Sequence, residues 1–201
     1  MRKGYLALIL FNLAYIIGFT IYYLSIKNYE FMIYIGVLVV LFALVFAIQR
    51  RVKFSYTILW MLSIWGLLHM MGGGVQWPED EVLYRWVPYE FYNAGDALGE
   101  FVILKFDQVL HWYVYFIMSF VLVHLLIGKV KVRPLYFYTL VALASMGLGV
   151  VNELVEFAAA VGVQDTGVGG YYNTSLDLVF NTLGALSGAI VAALLSNKIR
   201  N

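Results

Sequence analysis

Six apolar stretches, each long enough to cross a bilayer, take up most of this chain and leave little room for anything else. A span needs roughly 20 mostly apolar residues, because a helix advances about 1.5 Å per residue through about 30 Å of hydrocarbon. The stretches lie at about 5–26, 31–49, 54–72, 106–127, 135–162 and 175–196 of the 201 residues. They predict an all-α fold: a polytopic helical bundle forming one integral membrane domain over residues 1–201. Composition points the same way. The chain is 63% hydrophobic and 12% charged, whereas soluble domains run near 45–50% and about 25%. A net charge of +1 offers no footprint for nucleic acid. The absence of cysteine excludes disulfides, thiolate metal sites and cysteine nucleophiles. The first apolar run is too long for a signal peptide, and it ends in Tyr22-Tyr23-Leu24-Ser25 without a small-x-small cleavage pattern, so it is expected to be an uncleaved span.

Basic residues then orient the bundle, since they concentrate in cytoplasmic loops. Arg2, Lys3, Arg50, Arg51, Lys53, Lys129, Lys131, Arg133, Lys198 and Arg200 fall on one side, and only Lys27, Arg85 and Lys105 on the other. Both termini are therefore expected in the cytoplasm, and the long connector of about 73–105 outside it. That connector carries acidic residues interleaved with Trp77, Tyr84, Trp86, Tyr89, Phe91 and Tyr92. A loop this long is uncommon in a compact domain unless it covers or binds something. It reads as an amphipathic cover on the membrane surface, or as a plain interfacial anchor.

Polar residues inside the spans gather at the connector end. His69 closes span 3, Asp107 and His111 open span 4, Glu153 and Glu156 lie in the outer part of span 5, and Asp177 and Asn181 open span 6. The last three pairs are spaced i, i+4, i, i+3 and i, i+4, so each forms a patch on one helix face. Ionisable groups in hydrocarbon cost a few kcal/mol or more and turn inward to find partners. Four such patches at one depth would make one polar cavity. Imidazole and carboxylate together suit a divalent metal ion, which activates water or polarises a phosphoryl or carbonyl oxygen. A metal-free acid–base pair or proton relay uses the same residue types. A purely structural set of interhelical hydrogen bonds is the third reading.

Other features read as structural. His124 follows His111 by 13 residues, which puts it on nearly the opposite face and about 20 Å deeper. Gly184 and Gly188, with Ala185, Ser187 and Ala189, form a close-packing surface on span 6, for which Gly147 and Gly149 of span 5 are the expected match.

The segments Asn152-Glu153-Leu154-Val155-Glu156-Phe157, Tyr172-Asn173-Thr174-Ser175-Leu176-Asp177 and Asn181-Thr182-Leu183-Gly184-Ala185 resemble the C-terminal signature of YjdF-type bacterial inner-membrane proteins. Phe106-Asp107-Gln108-Val109-Leu110-His111 resembles that family's Tyr-Asp-x-x-x-His segment, and Leu68-His69-Met70-Met71-Gly72 its earlier His-x-x-Gly. The arrangement is also similar to that of the VanZ-like proteins, which are linked to glycopeptide-antibiotic tolerance. The resemblance covers about residues 66–196. It departs at Gln108, where the family usually has a basic residue, and at Asn173, where it has an aspartate. It implies a bacterial or archaeal cytoplasmic membrane and a polar set that is the working part, but it carries over no reaction. The leading expectation is a metal-dependent hydrolase acting on a lipid or lipid-linked envelope precursor, with membrane lipids as its partners. His69, Asp107 and His111 would hold a divalent metal, Glu153, Glu156 and Asp177 would be catalytic, and Asn181 would touch the substrate. A small transporter or lipid-binding protein, or a non-catalytic scaffold, are the alternatives.

Overall fold

Where the apolar runs stop, capping residues turn the chain. Asn28 caps one helix by accepting from the Phe31 amide at 3.0 Å, and Ser55 caps the next by accepting from Ile58 at 3.3 Å. Lys53, in the left-handed region at φ 56°, ends the helix before it, its amide bonded to the Gln49 carbonyl at 3.0 Å. Pro134 opens a later helix, where its missing N–H costs nothing. The computed structural model describes residues 2–77, 81–94, 101–163 and 166–200. The helices are α1 (Arg2–Ser25), α2 (Tyr29–Val52), α3 (Tyr56–Gly74), α4 (Phe106–Leu126), α5 (Pro134–Gly162) and α6 (Tyr171–Arg200). All six are long and apolar enough to cross a membrane, and their bounds follow the expected spans to within a few residues.

Helices α4 and α6 form the most extensive contact, and α5 packs on both. The approach depends on small residues. A side chain at Gly184 would run into the Trp112 backbone, and one at Gly188 into that of Phe116. The surface matching Gly184 and Gly188 is therefore α4, not the glycines of α5 as expected. Gly147 faces open space, and Gly149 instead lets Asn181 of α6 come close. In a membrane such close contact replaces the hydrophobic drive that lipid tails remove. Helix α3 packs on α4 through Ile58, Leu62, Ile117 and Val121. Near the connector, Tyr23, Phe31, Tyr34 and Met70 join α1, α2 and α3 into an aromatic cluster. His124 lies against Phe54, and its Nδ1 bonds the Phe120 carbonyl at 2.9 Å, a packing role.

The described part of the connector is folded rather than merely laid on the surface. Gln76 bridges to Val82, a 3-10 turn covers Leu83–Arg85, and β1 (Tyr92–Asn93) pairs antiparallel with β2 (Val102–Ile103). The Phe106 amide bonds the Trp86 carbonyl at 2.7 Å, which fastens the connector to the start of α4. Its acidic residues Glu79, Asp80, Asp96 and Glu100 lie outside the described residues.

Candidate functional site

The second turn of α4 carries His111 into the contact with α5 and α6, where it is buried. Its two ring nitrogens meet different surroundings. Nδ1 lies 2.9 Å from Asn181 Oδ1. The Asn181 amide donates to Glu153 Oε1 at 3.2 Å, so its carbonyl oxygen is the atom turned to the ring. Nδ1 therefore carries a proton and donates. Nε2 then points at carboxylates alone, with Asp107 Oδ1 at 3.5 Å and Glu156 Oε1 at 3.8 Å.

Each acid has its own support. Asn152 donates to Glu156 Oε1 at 2.7 Å, across one turn of α5. Asn173 donates to Asp177 Oδ2 at 2.7 Å, across one turn of α6. Lys105, buried just before α4, donates through Nζ to Asn173 Oδ1 at 3.2 Å. Two carboxylate oxygens, Glu153 Oε2 and Asp177 Oδ1, are buried without a hydrogen-bond donor among the described residues. Such orphan acceptors cost about 1–3 kcal/mol each, and more when charged, unless something else binds them.

The donor atoms converge in two overlapping sets. One atom each from Asp107, His111 and Asp177 lie within 4.8 Å of one another, and so do atoms from His111, Glu153 and Glu156. A cavity of about 50 Å³ opens beside them, lined by Asp107, His111 and Glu156 together with Glu30, Tyr34 and His69. That is room for a water cluster or an ion with its waters.

Among the expected site residues, Asp107, His111, Glu153, Glu156, Asp177 and Asn181 meet at one point. His69 reaches the cavity wall but stands apart from both ligand sets. Its Nδ1 is held by the Tyr84 hydroxyl, which also bonds the His69 carbonyl at 3.1 Å, and its ring stacks on Trp65 at 5.3 Å. Burial pushes that Tyr84 hydroxyl well above the usual phenol range.

Several residues were not anticipated. Glu30 at the start of α2 lines the cavity and accepts the Gly167 amide at 2.7 Å, tying α2 to the link before α6. The Tyr34 hydroxyl is buried in the same cavity wall as Glu30. The two departures from the YjdF-type pattern also find roles. Gln108 accepts the amides of Leu104 and Lys105 at 2.6 and 3.1 Å and donates to the Val102 carbonyl at 2.8 Å, fixing the entry to α4. Asn173 links the Lys105 ammonium to Asp177. The one sequence sign for Asn152 and Asn173 was their i, i+4 spacing to Glu156 and Asp177.

Residues 6–198 match a family model described as "Predicted membrane protein (DUF2238)". No curated protein and no solved structure matches the chain.

Proposed function

The chain belongs to that family of membrane proteins, and from this footing we propose that the polar cluster is a divalent metal centre serving hydrolysis of a lipid or lipid-linked envelope precursor. The observation that carries the reading is the Nε2 edge of His111, which faces the carboxylates of Asp107 and Glu156. With Nδ1 donating to Asn181, the carboxylates turned on Nε2 call for positive charge between them, and a divalent ion there would supply it. The 3.5 Å gap to Asp107 is long for an N–H···O hydrogen bond. It matches the ~3.3–3.6 Å edge of a tetrahedron built on ~2.0–2.2 Å metal–ligand bonds.

In this reading His111 Nε2, Asp107 and Asp177 Oδ1 are the ligands. Asn181 fixes the imidazole tautomer, and Asn173 fixes the second Asp177 oxygen, the outer support that metal ligands ordinarily have. Glu156, held by Asn152 at the cavity wall, takes a proton from water. His69 passes from ligand to cavity wall, and Asp177 from catalysis to ligation. A bound divalent ion would lower the pKa of that water and polarise the bond under attack.

Location supports the substrate class. The cluster lies within the spanning part of α4, α5 and α6, so a group reacting there arrives from the bilayer or from beneath the connector. The charge distribution of the loops supports a reading in which that end lies outside the cytoplasm. A transporter would need polarity through the other half of the bundle. There the buried hydroxyls of Ser119 and Ser145 are spent on the carbonyls of Ala185 and Tyr115, and α4 and α6 are in backbone contact.

The test is elemental analysis of protein purified in mild detergent without chelator, beside Asp177→Asn and Glu156→Gln. The expected result is near-stoichiometric divalent metal in the wild type and in Glu156→Gln, and loss of it in Asp177→Asn. Lipid phosphates and esters would then be screened for turnover that Glu156→Gln abolishes. A wild type that stays metal-free after loading with zinc or manganese sinks the reading.

A further inference from the structure

Away from the polar cluster, α1, α2 and α3 leave a groove of about 400 Å³ that opens sideways on the bundle surface. Ile9 and Leu13 of α1 and Phe42 and Phe46 of α2 form its walls, and buried Leu62 of α3 its floor. The volume is that of a ligand pocket. Its axis runs along α2 from Val39 to Arg50, about 17 Å at 1.5 Å per residue. That is close to half of a ~30 Å hydrocarbon core, the depth of one leaflet. Beyond Val39 the groove is closed, because the Tyr15 ring lies against Phe42 and its hydroxyl end fills the space over Gly66.

The polar groups in the groove are unevenly satisfied. Asn12 is spent at mid-groove: it donates to the Leu8 carbonyl at 2.7 Å and to Ser63 at 2.8 Å, and accepts from Tyr15 at 2.9 Å. At the open end Tyr5 and Arg50 line the mouth. The Tyr5 hydroxyl accepts from Gln49 at 3.3 Å and keeps its own proton to donate. Every ion pair among the described residues involves His111, so Arg50 has no acidic partner among them.

We infer that this groove seats one acyl chain of an anionic phospholipid, with the headgroup phosphate on Arg50 and Tyr5. A leaflet-deep apolar slot ending in a guanidinium matches the amphipathic shape and the charge of such a lipid, and basic pockets between spanning helices recognise anionic headgroups in this way. The site is independent of the metal centre.

Native mass spectrometry tests it on the full chain in detergent, with equimolar phosphatidylglycerol and phosphatidylcholine added. One lipid should survive the detergent wash, with phosphatidylglycerol favoured about five-fold, the weight of one basic residue near an anionic headgroup. Arg50→Gln should remove the preference. Arg51→Gln, beside the groove but outside its lining, should keep it. Ile9→Trp, which fills the slot from an exposed position, should lose the retained lipid at unchanged helix content. Equal retention of the two lipids by the wild type, or equal effects of Arg50→Gln and Arg51→Gln, would overturn the assignment. So would a lipid-free dimer, which gives the groove to a second copy of the chain.

Discussion

Gly184 provides the sharpest test of how the site is held, because only backbone lies opposite it. A Cβ there would sit 2.9 Å from the carbonyl carbon and 3.0 Å from the Cα of Trp112, and closer still to its oxygen. Non-bonded carbons rest at about 3.5–4.0 Å, so α4 and α6 would have to part by most of an ångström. Gly147 is the control, with nothing within 4 Å of its missing Cβ. Both glycines are inside helices, so alanine gains the same ~1 kcal/mol of helix propensity at each. The difference between the variants therefore isolates overpacking, about 1–3 kcal/mol. For a chain of this size 1 kcal/mol moves the melting temperature by about 2–4 °C. Gly184→Ala should then melt about 2–12 °C below Gly147→Ala when tryptophan fluorescence is followed in one detergent. Parting the helices also stretches the Ser119–Ala185 bond of 3.0 Å and the His111–Asn181 contact of 2.9 Å. Equal melting temperatures would refute the claim that close α4–α6 approach holds the cluster together.

Three further outcomes follow from the polar contacts. Tyr84→Phe removes the hydroxyl from His69 and should cost about 1 kcal/mol in a thermal melt. Because burial raises the Tyr84 hydroxyl, the folded chain keeps that proton where the unfolded chain loses it. The gap between wild type and Tyr84→Phe should thus be constant at neutral pH and shrink above about pH 10; a widening gap contradicts it. Lys105→Met frees Asn173 from its cation and should weaken metal binding about ten-fold in a zinc or manganese titration, the usual scale for an outer support. Unchanged affinity would remove Lys105 from the site. Glu30→Gln trades a charged acceptor for a neutral one, so the Gly167 amide should exchange with deuterium about five-fold faster, the equivalent of ~1 kcal/mol. An unaltered rate would mean that the carboxylate charge does not hold the link.

Much of the bundle was legible because twenty apolar residues in a row have few alternatives, and because Asp107/His111, Glu153/Glu156 and Asp177/Asn181 announce themselves by same-face spacing. What stayed hidden depends on contacts between distant segments. Glu30 follows the Asn28 cap, where an acidic residue is ordinarily accounted for by the helix dipole, and nothing local ties it to Gly167. Lys105 counted only toward loop charge until the fold placed it on Asn173. His69 stood in the right helix at the right depth, yet Tyr84, fifteen residues on, claims its Nδ1. The partner of Gly184 and Gly188 was missed because a glycine stripe shows that a helix is approached closely, not by which neighbour.

The sharing of one imidazole among three helices sets an order for biogenesis. As the chain emerges, His111 and Asp107 enter the bilayer before either of the helices that answer them. Glu153 and Glu156 follow with α5, and the Asn181 amide that orients the imidazole arrives only with α6. Until then the α4–α5 pair carries polar groups whose partners are still unmade, and Glu30 waits for a backbone amide 137 residues downstream. Insertion of the last span is thus the event that satisfies the earlier ones, and a chain cut short before α6 would expose uncompensated carboxylates to lipid, a ready mark for membrane quality control.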